Sequence, residues 1–531
     1  MTAAPPAPVP PAGRDLLAFL PRQDRHVPKC GPVRPSKVSR KRAWFLIGIH
    51  VLIGAHIWHW LATGNTLTPV EPSEAMQTVE LGKINAGFLL FLALIASTLV
   101  FGRFFCGWAC HVVALQDLSA WLLGKAGLKP RPVRSRLLVL APWVVAGHMF
   151  AWPVVEHLLW PKEKPLPAPA EWEYHLTTEN LWQTFPGPIM TVLTVLVAGG
   201  LIVWWLGAKG FCTHGCPYGA FFAIADRFAP VRIKVTDACD ACGHCTSVCT
   251  SNVRVHEEVA KHGQLVDPGC MKCLDCISVC PKDALYVGFA WPKPFAKSQQ
   301  RIQARADFTW FEEGLLAVVA FTAVQWTFRG AWFGEGIPLL LAVGLGVTTA
   351  VLALLLLRML THRDMTFQHT VLRRGGAFTG AGKVGLVALV AWLAFTAMLF
   401  TGNRLKGALS DRMVSLTRPD VATAELESTL ALGDTAQTFF VVDDPVVGQL
   451  RGLLLFRLKR EAEAEQALMA CYEARGHMDY VEASICLAGM CMKPERQRFD
   501  VADKLINNVL SSQPQHPVAV RMRAYLDSRP K

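Results

Sequence analysis

Apolar residues in this chain come in long unbroken runs. Seven stand out, at 44–61, 85–101, 137–154, 188–206, 313–329, 337–358 and 382–401. Each is near the ~20 residues that a helix needs to cross the hydrocarbon core of a bilayer, so the pattern predicts seven transmembrane helices. The fifth is the weakest, because Glu312 and Glu313 crowd its start. From about residue 444 the pattern changes. In PVVGQLRGLLLFRLKR, EAEAEQALMACYEAR, YVEASICLAGMCM, VADKLINNVL and PVAVRMRAYL, apolar residues recur at helical spacing. Two pairs recur at an offset of roughly 34 residues, which resembles tetratricopeptide-like repeats. An ordinary small helical domain fits the same pattern, and either would dock a partner.

The polar stretches set an orientation. Residues 1–42 begin Pro-rich (APPAPVPPAG) and end basic, which predicts a disordered arm containing one isolated thiol, Cys30. The 103–136 loop carries Arg103, Lys125, Lys129, Arg131, Arg134 and Arg136 against Asp117 alone. The 155–187 loop carries Glu156, Glu163, Glu171, Glu173 and Glu179 against Lys162 and Lys164. Basic loops stay in the cytoplasm. The N-terminus, the 103–136 loop and residues 207–312 are therefore expected inside a bacterial inner membrane, with loops 62–84 and 155–187 in the periplasm. An odd number of spans would put 402–531 in the periplasm. Composition agrees with membrane residence, at 52% hydrophobic and 18% charged residues. The net charge of +12 sits largely beside the apolar runs, where it sets topology. No soluble face gathers it, so nucleic acid is not an expected partner.

Eight of the sixteen cysteines change the picture. CDACGHCTSVC (239–249) and CMKCLDCISVCP (270–281) are separated by 20 residues. Each is C-x2-C-x2-C-x3-C, the bacterial two-cluster ferredoxin run, in which the fourth Cys of each run ligates the other cluster. That rule assigns Cys239, Cys242, Cys245 and Cys280 to one 4Fe-4S cluster, and Cys249, Cys270, Cys273 and Cys276 to a second. Zinc also uses C-x2-C pairs, but rarely a third Cys two residues further on. Thr250 stands where Pro often follows the fourth Cys, whereas Pro281 is present. Cluster thiolates need a reducing compartment, in keeping with a cytoplasmic domain.

Two further pairs sit at the ends of predicted spans: FCGWACH (Cys106, Cys110) and FCTHGCPYG (Cys212, Cys216). C-x3-C on a helix puts both thiols on one face. The four could meet to hold a metal or a further cluster, or line a helix interface as plain thiols. Cys471, Cys486 and Cys491 have no such spacing and read as core thiols, or as a disulfide in a periplasmic tail. Within the spans, His50, His56 and His59 lie in the first and His148 in the third. Intramembrane ionisable residues are usually functional. His56 and His148 stand at comparable depth, as axial ligands of a haem b would, although hydrogen bonding to a quinol or a helix gives the same placement. Glu71, Glu74 and Glu80 lie in the loop where protons of a quinol would leave, and an exposed acidic loop would look alike.

Paired F-C-x3-C elements after spans two and four, followed by the double run, resemble the membrane polyferredoxins of the NapH and NosR families, over roughly 85–290. The CcoG-type proteins are similar too. Cys216 keeps the family's following proline as Pro217, whereas His111 follows Cys110. The resemblance implies electron transfer between the quinone pool and a respiratory redox partner. The CcoG likeness implies copper-ion reduction or oxidase assembly instead, and a membrane redox sensor or scaffold is a further alternative. The fold class expected is a mostly α, polytopic bundle with a ferredoxin-like α+β insert and a helical tail. Its parts are the arm (1–42), spans one to four (43–206), the second C-x3-C element (207–231), the two-cluster domain (232–290), spans five to seven (291–401) and the tail (402–531).

Overall fold

A computed structural model describes residues 32–528, apart from 129–132, 160–165, 182–185, 299–306, 330, 333–334, 368–369, 417, 419 and 420. Most of the expected arm, Cys30, Lys129, Arg131, Lys162, Glu163 and Lys164 lie outside the described residues. The chain is mostly helical and divides into two units: residues 1–320 with 343–389, and residues 321–342 with 390–531.

Among the described residues, five helices are long and apolar enough to cross a membrane: Lys37–Thr63, Leu138–Leu159, Pro188–Leu206, Leu339–Thr361 and Gly380–Ser415. They make this a membrane-associated protein. Trp44, Val51, Leu52, Trp58 and Leu61 of the first are all exposed, a continuous apolar surface that suits lipid contact. Two of the seven expected spans fall short. Ala86–Phe101 has 16 residues, or ~24 Å at 1.5 Å per residue, against a core of ~30 Å. The fifth run forms a helix over Trp310–Thr322 that continues as a π-turn to Phe328. Its acids are neutralised within the chain. Glu313, 1% exposed, accepts from the backbone N–H groups of Arg136 and Leu137, and Glu312 pairs with Arg358 at 2.6 Å.

The loops of the first unit gather in two groups. Thr66–Leu67 pairs with Thr177–Thr178, and Lys83–Ile84 with Glu173–Tyr174, so loops 62–84 and 166–181 are stitched together. The other group holds the ferredoxin region. Its strands Val231–Val235 and Leu285–Phe289 pair antiparallel and enclose short helices His244–Ser247, Val255–His262 and Asp275–Ser278. The 103–136 segment binds it through Arg103 Nη1 to Pro268 O (3.0 Å), Trp108 Nε1 to Lys272 O (3.1 Å) and Asn252 Nδ2 to Val133 O (2.7 Å). Arg42, grouped by sequence among topology-setting residues, is instead 4% exposed. It bridges Asp117 (2.9 Å) and Asp275 (3.1 Å), fastening the first helix to the ferredoxin region.

In the second unit, helices Thr423–Gln437, Pro445–Arg457, Glu461–Arg475, Val481–Cys491, Phe499–Ser512 and Pro517–Asp527 follow one another. Asp444 caps the second of them, accepting from Val446 N and Val447 N. The helices close over apolar cores; Cys491 lies within one, Cys486 packs against both, Cys471 is buried, and each of these is a free thiol.

Candidate iron-sulfur site

The two runs fold as copies of one another. Left-handed backbone recurs at matching places: Ala241 and Lys272 before the second Cys, Gly243 and Leu274 after it, Asn252 and Asp283 three residues past the fourth. These bends give both runs the same tight local path, which extended or helical backbone would not do. Gly243 adopts φ 83° freely, whereas Leu274 is held at φ 65°, a conformation costing a branched residue ~1–2 kcal/mol. Neighbouring structure over-determines such strain, and it concentrates where function needs a fixed shape.

Cys239, Cys242, Cys245 and Cys280 line a single cavity, walled also by His256 and Leu285. Three of these thiols come from the first run and one from the second. The remaining four lie near one another: Cys249 is within electrostatic range of Cys273 and Cys270, and Cys276 of Cys273, Cys270 and Cys249, with Cys245 of the first set also in its range. Ile233, Val253, Val255, Val259, Leu265 and Leu285 form the apolar packing around them. Burial pushes the Cys245 and Cys249 thiols up to about 12 and also raises Cys270 and Cys276. Ligation by iron, which requires thiolates, would therefore release protons. Among the described residues no three His, Cys, Asp or Glu side chains converge on a point suited to one metal ion.

The second group is surrounded by buried cations that sequence reasoning did not single out. Arg42 faces Cys273. Lys272, 4% exposed, stands between Cys270 and Asp226 (3.6 Å). Lys209, 1% exposed, faces Asp117, Cys273 and Cys212. Asp226 is the hub. It is fully buried, pairs with Arg232 at 2.9 Å, and accepts from the backbone N–H of Arg103 at 3.3 Å.

The C-x3-C elements are brought together. Cys212 lies within electrostatic range of Cys110, Cys216 and Cys106. Gln116, fully buried, accepts from Phe211 N at 3.1 Å and reaches Cys212 Sγ at 2.9 Å, clamping one element to the other. Gly107 has no room for a side chain, because a Cβ there would strike the carbonyl of Met271. The first element thus lies directly on the loop carrying Cys270 and Cys273. On its other side, His111 is 3.5 Å from Glu71, and Glu74 is pushed up to about 6 by burial and by Glu71.

The family profile described as "4Fe-4S binding domain" matches residues 86–129 and 189–236, the two segments that carry the C-x3-C elements. Ferredoxin-type protein NapH of Escherichia coli K12 is 24% identical over 269 residues, 47% of this chain and 87% of the relative. The chain resembles NapH-type ferredoxin proteins. The chain is also similar to the methylamine utilization ferredoxin-type protein MauN of Methylorubrum extorquens (28% over 205 residues, 36% of this chain, 66% of the relative). The putative electron transport protein YccM of Escherichia coli K12 is 24% identical over 318 residues, 54% of this chain and 84% of the relative. The chain spans just under two thirds of the MauN proteins' own length, 66% and 63% in two organisms. No solved structure matches it.

His56 and His148 are placed less suggestively. His56 Nε2 lies 3.0 Å from Leu67 O, which occupies the nitrogen an axial ligand would offer, and His148 sits in the π-turn Gly147–Ala151. Ala141–Ala146 packs with Pro217–Phe228, where Phe150 of that π-turn also meets Tyr218 and Phe221, whereas the Lys37–Thr63 helix packs on His111–Lys125.

Proposed function

We propose that this chain is an inner-membrane electron carrier linking the quinone pool to a respiratory redox partner. The cavity ringed by Cys239, Cys242, Cys245 and Cys280 carries the reading, because only the crossed pattern of a two-cluster ferredoxin groups these four residues. In this reading they hold one 4Fe-4S cluster, and Cys249, Cys270, Cys273 and Cys276 hold the other. Bound there, the clusters supply one-electron transfer at potentials anywhere from about −700 to +450 mV. The chain's own residues supply the rest. The apolar shell excludes water, and Arg42, Lys209 and Lys272 stand close to the second group of thiols, where positive charge favours the thiolate and the more negative, reduced state.

Orientation follows from the loops. The ferredoxin region and the 103–136 segment lie in the cytoplasm, and the stitched loops 62–84 and 166–181 face the periplasm. Glu71 and Glu74 reach inward from the first of these loops to His111 of the 103–136 segment, 3.5 Å from Glu71, and these three are the groups placed to take up protons. The helical tail docks the partner protein. No observation favours haem at His56 and His148.

The quinone link is tested on anaerobically purified protein. Addition of a reduced short-chain quinone is expected to generate the paramagnetic resonance signals of reduced clusters. Reduction by dithionite without any reduction by quinol would overturn the link and leave the cluster assignment standing.

A further inference from the structure

We propose that an aromatic and basic patch on the ferredoxin region is a lipid-docking surface, seated in the headgroup layer of the membrane and selective for anionic phospholipid; it rests on the membrane reading above and not on the clusters. Three segments build the patch. Helix Pro217–Phe228 ends at Phe228. The strand Leu285–Phe289 returns beside that end, with Phe289 opposite Val231 and Ala290 N donating to Pro230 O at 2.9 Å. The short turn Lys293–Phe295 then packs on helix Pro217–Phe228. At this junction Phe289 is 76% exposed, Trp291 74% and Phe295 67%. Ile224 and Phe228, four residues apart on one face of the helix, are exposed as well. Gln264 Nε2 donates to Trp291 O at 2.8 Å, which fixes the backbone under the rings. Five large apolar side chains left uncovered on a fixed surface forgo hydrophobic stabilisation and mark an interaction site.

Two observations choose lipid as the occupant. The first is continuity with the bundle. Helix Pro217–Phe228 packs on Ala86–Phe101 and on Ala141–Ala146, part of the Leu138–Leu159 span. Its last turn is level with the end of Ala86–Phe101, because Asp226 accepts from the backbone N–H of Arg103 at 3.3 Å and lies against Gly102. Phe101 is exposed at the same level. The patch therefore stands where the bundle leaves the hydrocarbon, the depth at which aromatic rings with basic neighbours collect. The second is charge. Arg227 and Lys297 are exposed among the rings and Lys293 is half-buried there, while Glu258 of the helix Val255–His262 is an acid that faces Lys293. The excess of positive charge suits an anionic headgroup. The docking also has a use. Leu285, at the other end of the strand, walls the cavity ringed by Cys239, Cys242, Cys245 and Cys280. The strand covers ~13 Å between Leu285 and Phe289, so seating Phe289 among headgroups fixes the height of that cavity above the membrane.

The test is photo-cross-linking of the full chain in nanodiscs of phosphatidylglycerol or of phosphatidylcholine, each doped with a phospholipid that carries a diazirine near its glycerol. Peptide mass spectrometry reads the label. Residues 285–298 are expected to be labelled, more strongly in phosphatidylglycerol. The triple variant Phe289→Ser, Trp291→Ser, Phe295→Ser is expected to lose that label and to keep the label on 44–61. The triple variant Arg227→Gln, Lys293→Gln, Lys297→Gln is expected to lose the preference between the two lipids. If a variant does not fold, the wild-type labels still decide. Label on 44–61 with none on 285–298 overturns the docking surface alone. So does a dimer that the aromatic variant dissociates, which assigns the patch to a second copy of the chain. Equal wild-type labelling of 285–298 in both lipids overturns the anionic selectivity. No label on either stretch overturns the membrane reading beneath.

Discussion

Cys276→Ala is expected to remove one cluster's worth of metal, about four iron atoms per chain, and to loosen residues 232–290. Cys276 is 7% exposed, lies within electrostatic range of Cys249, Cys270 and Cys273, and belongs to the same apolar cluster as Val255, Leu265 and Leu285. The sulfur cannot be replaced by a neighbour, since the other thiols of its group are needed themselves. Metal binding free energy is folding free energy where the empty site is not otherwise stable, so loss of the ligand reaches beyond the metal. Iron analysis and limited proteolysis of the variant measure both effects. Cys486→Ala, in the helical tail, serves as the control and should leave iron unchanged. Equal iron in the two variants would break the ligand assignment.

Asp226→Ala is expected to destabilise the first unit by about 3–5 kcal/mol, the usual cost of removing one partner from a buried ion pair. The carboxylate is fully buried against Arg232, with Lys272 at 3.6 Å and the backbone N–H of Arg103 at 3.3 Å. Its loss leaves Arg232 charged and buried with only the carbonyls of Asp226 and Ala229. It also frees Lys272, which lies between Cys270 and Cys273, so the second cluster should become labile. Thermal unfolding and cluster loss on mild heating report the two effects. Asp237→Ala, at an exposed position, should stay within about 0.5 kcal/mol of the parent. If Asp226→Ala behaves like Asp237→Ala, the buried charge network does not hold these elements together.

The sequence showed the metal-binding chemistry more clearly than the architecture that surrounds it. Thiol spacing is a local signal, and the crossed grouping of Cys280 with the first run follows from a rule about such runs. Apolar runs also locate helices well, but length alone does not settle how a run is used. Ala86–Phe101 is short because the chain turns at Gly102 and Arg103 into the first C-x3-C element, a turn that hydropathy does not register. Glu312 and Glu313 looked like a flaw in the fifth run and prove to be paired with residues far away in sequence. Arg42, Arg103 and Lys209 show the same limit. By sequence Arg42 and Arg103 are topology markers at span ends, yet folding buries both, with Lys209, against carboxylates and thiols contributed by other segments.

Two cubane clusters in crossed thiol sets are what we propose the ferredoxin region holds. The most direct measurement is acid-labile sulfide in the anaerobically purified full chain. The account predicts at least about eight sulfide per chain, and a protein that binds zinc and releases no sulfide would contradict it.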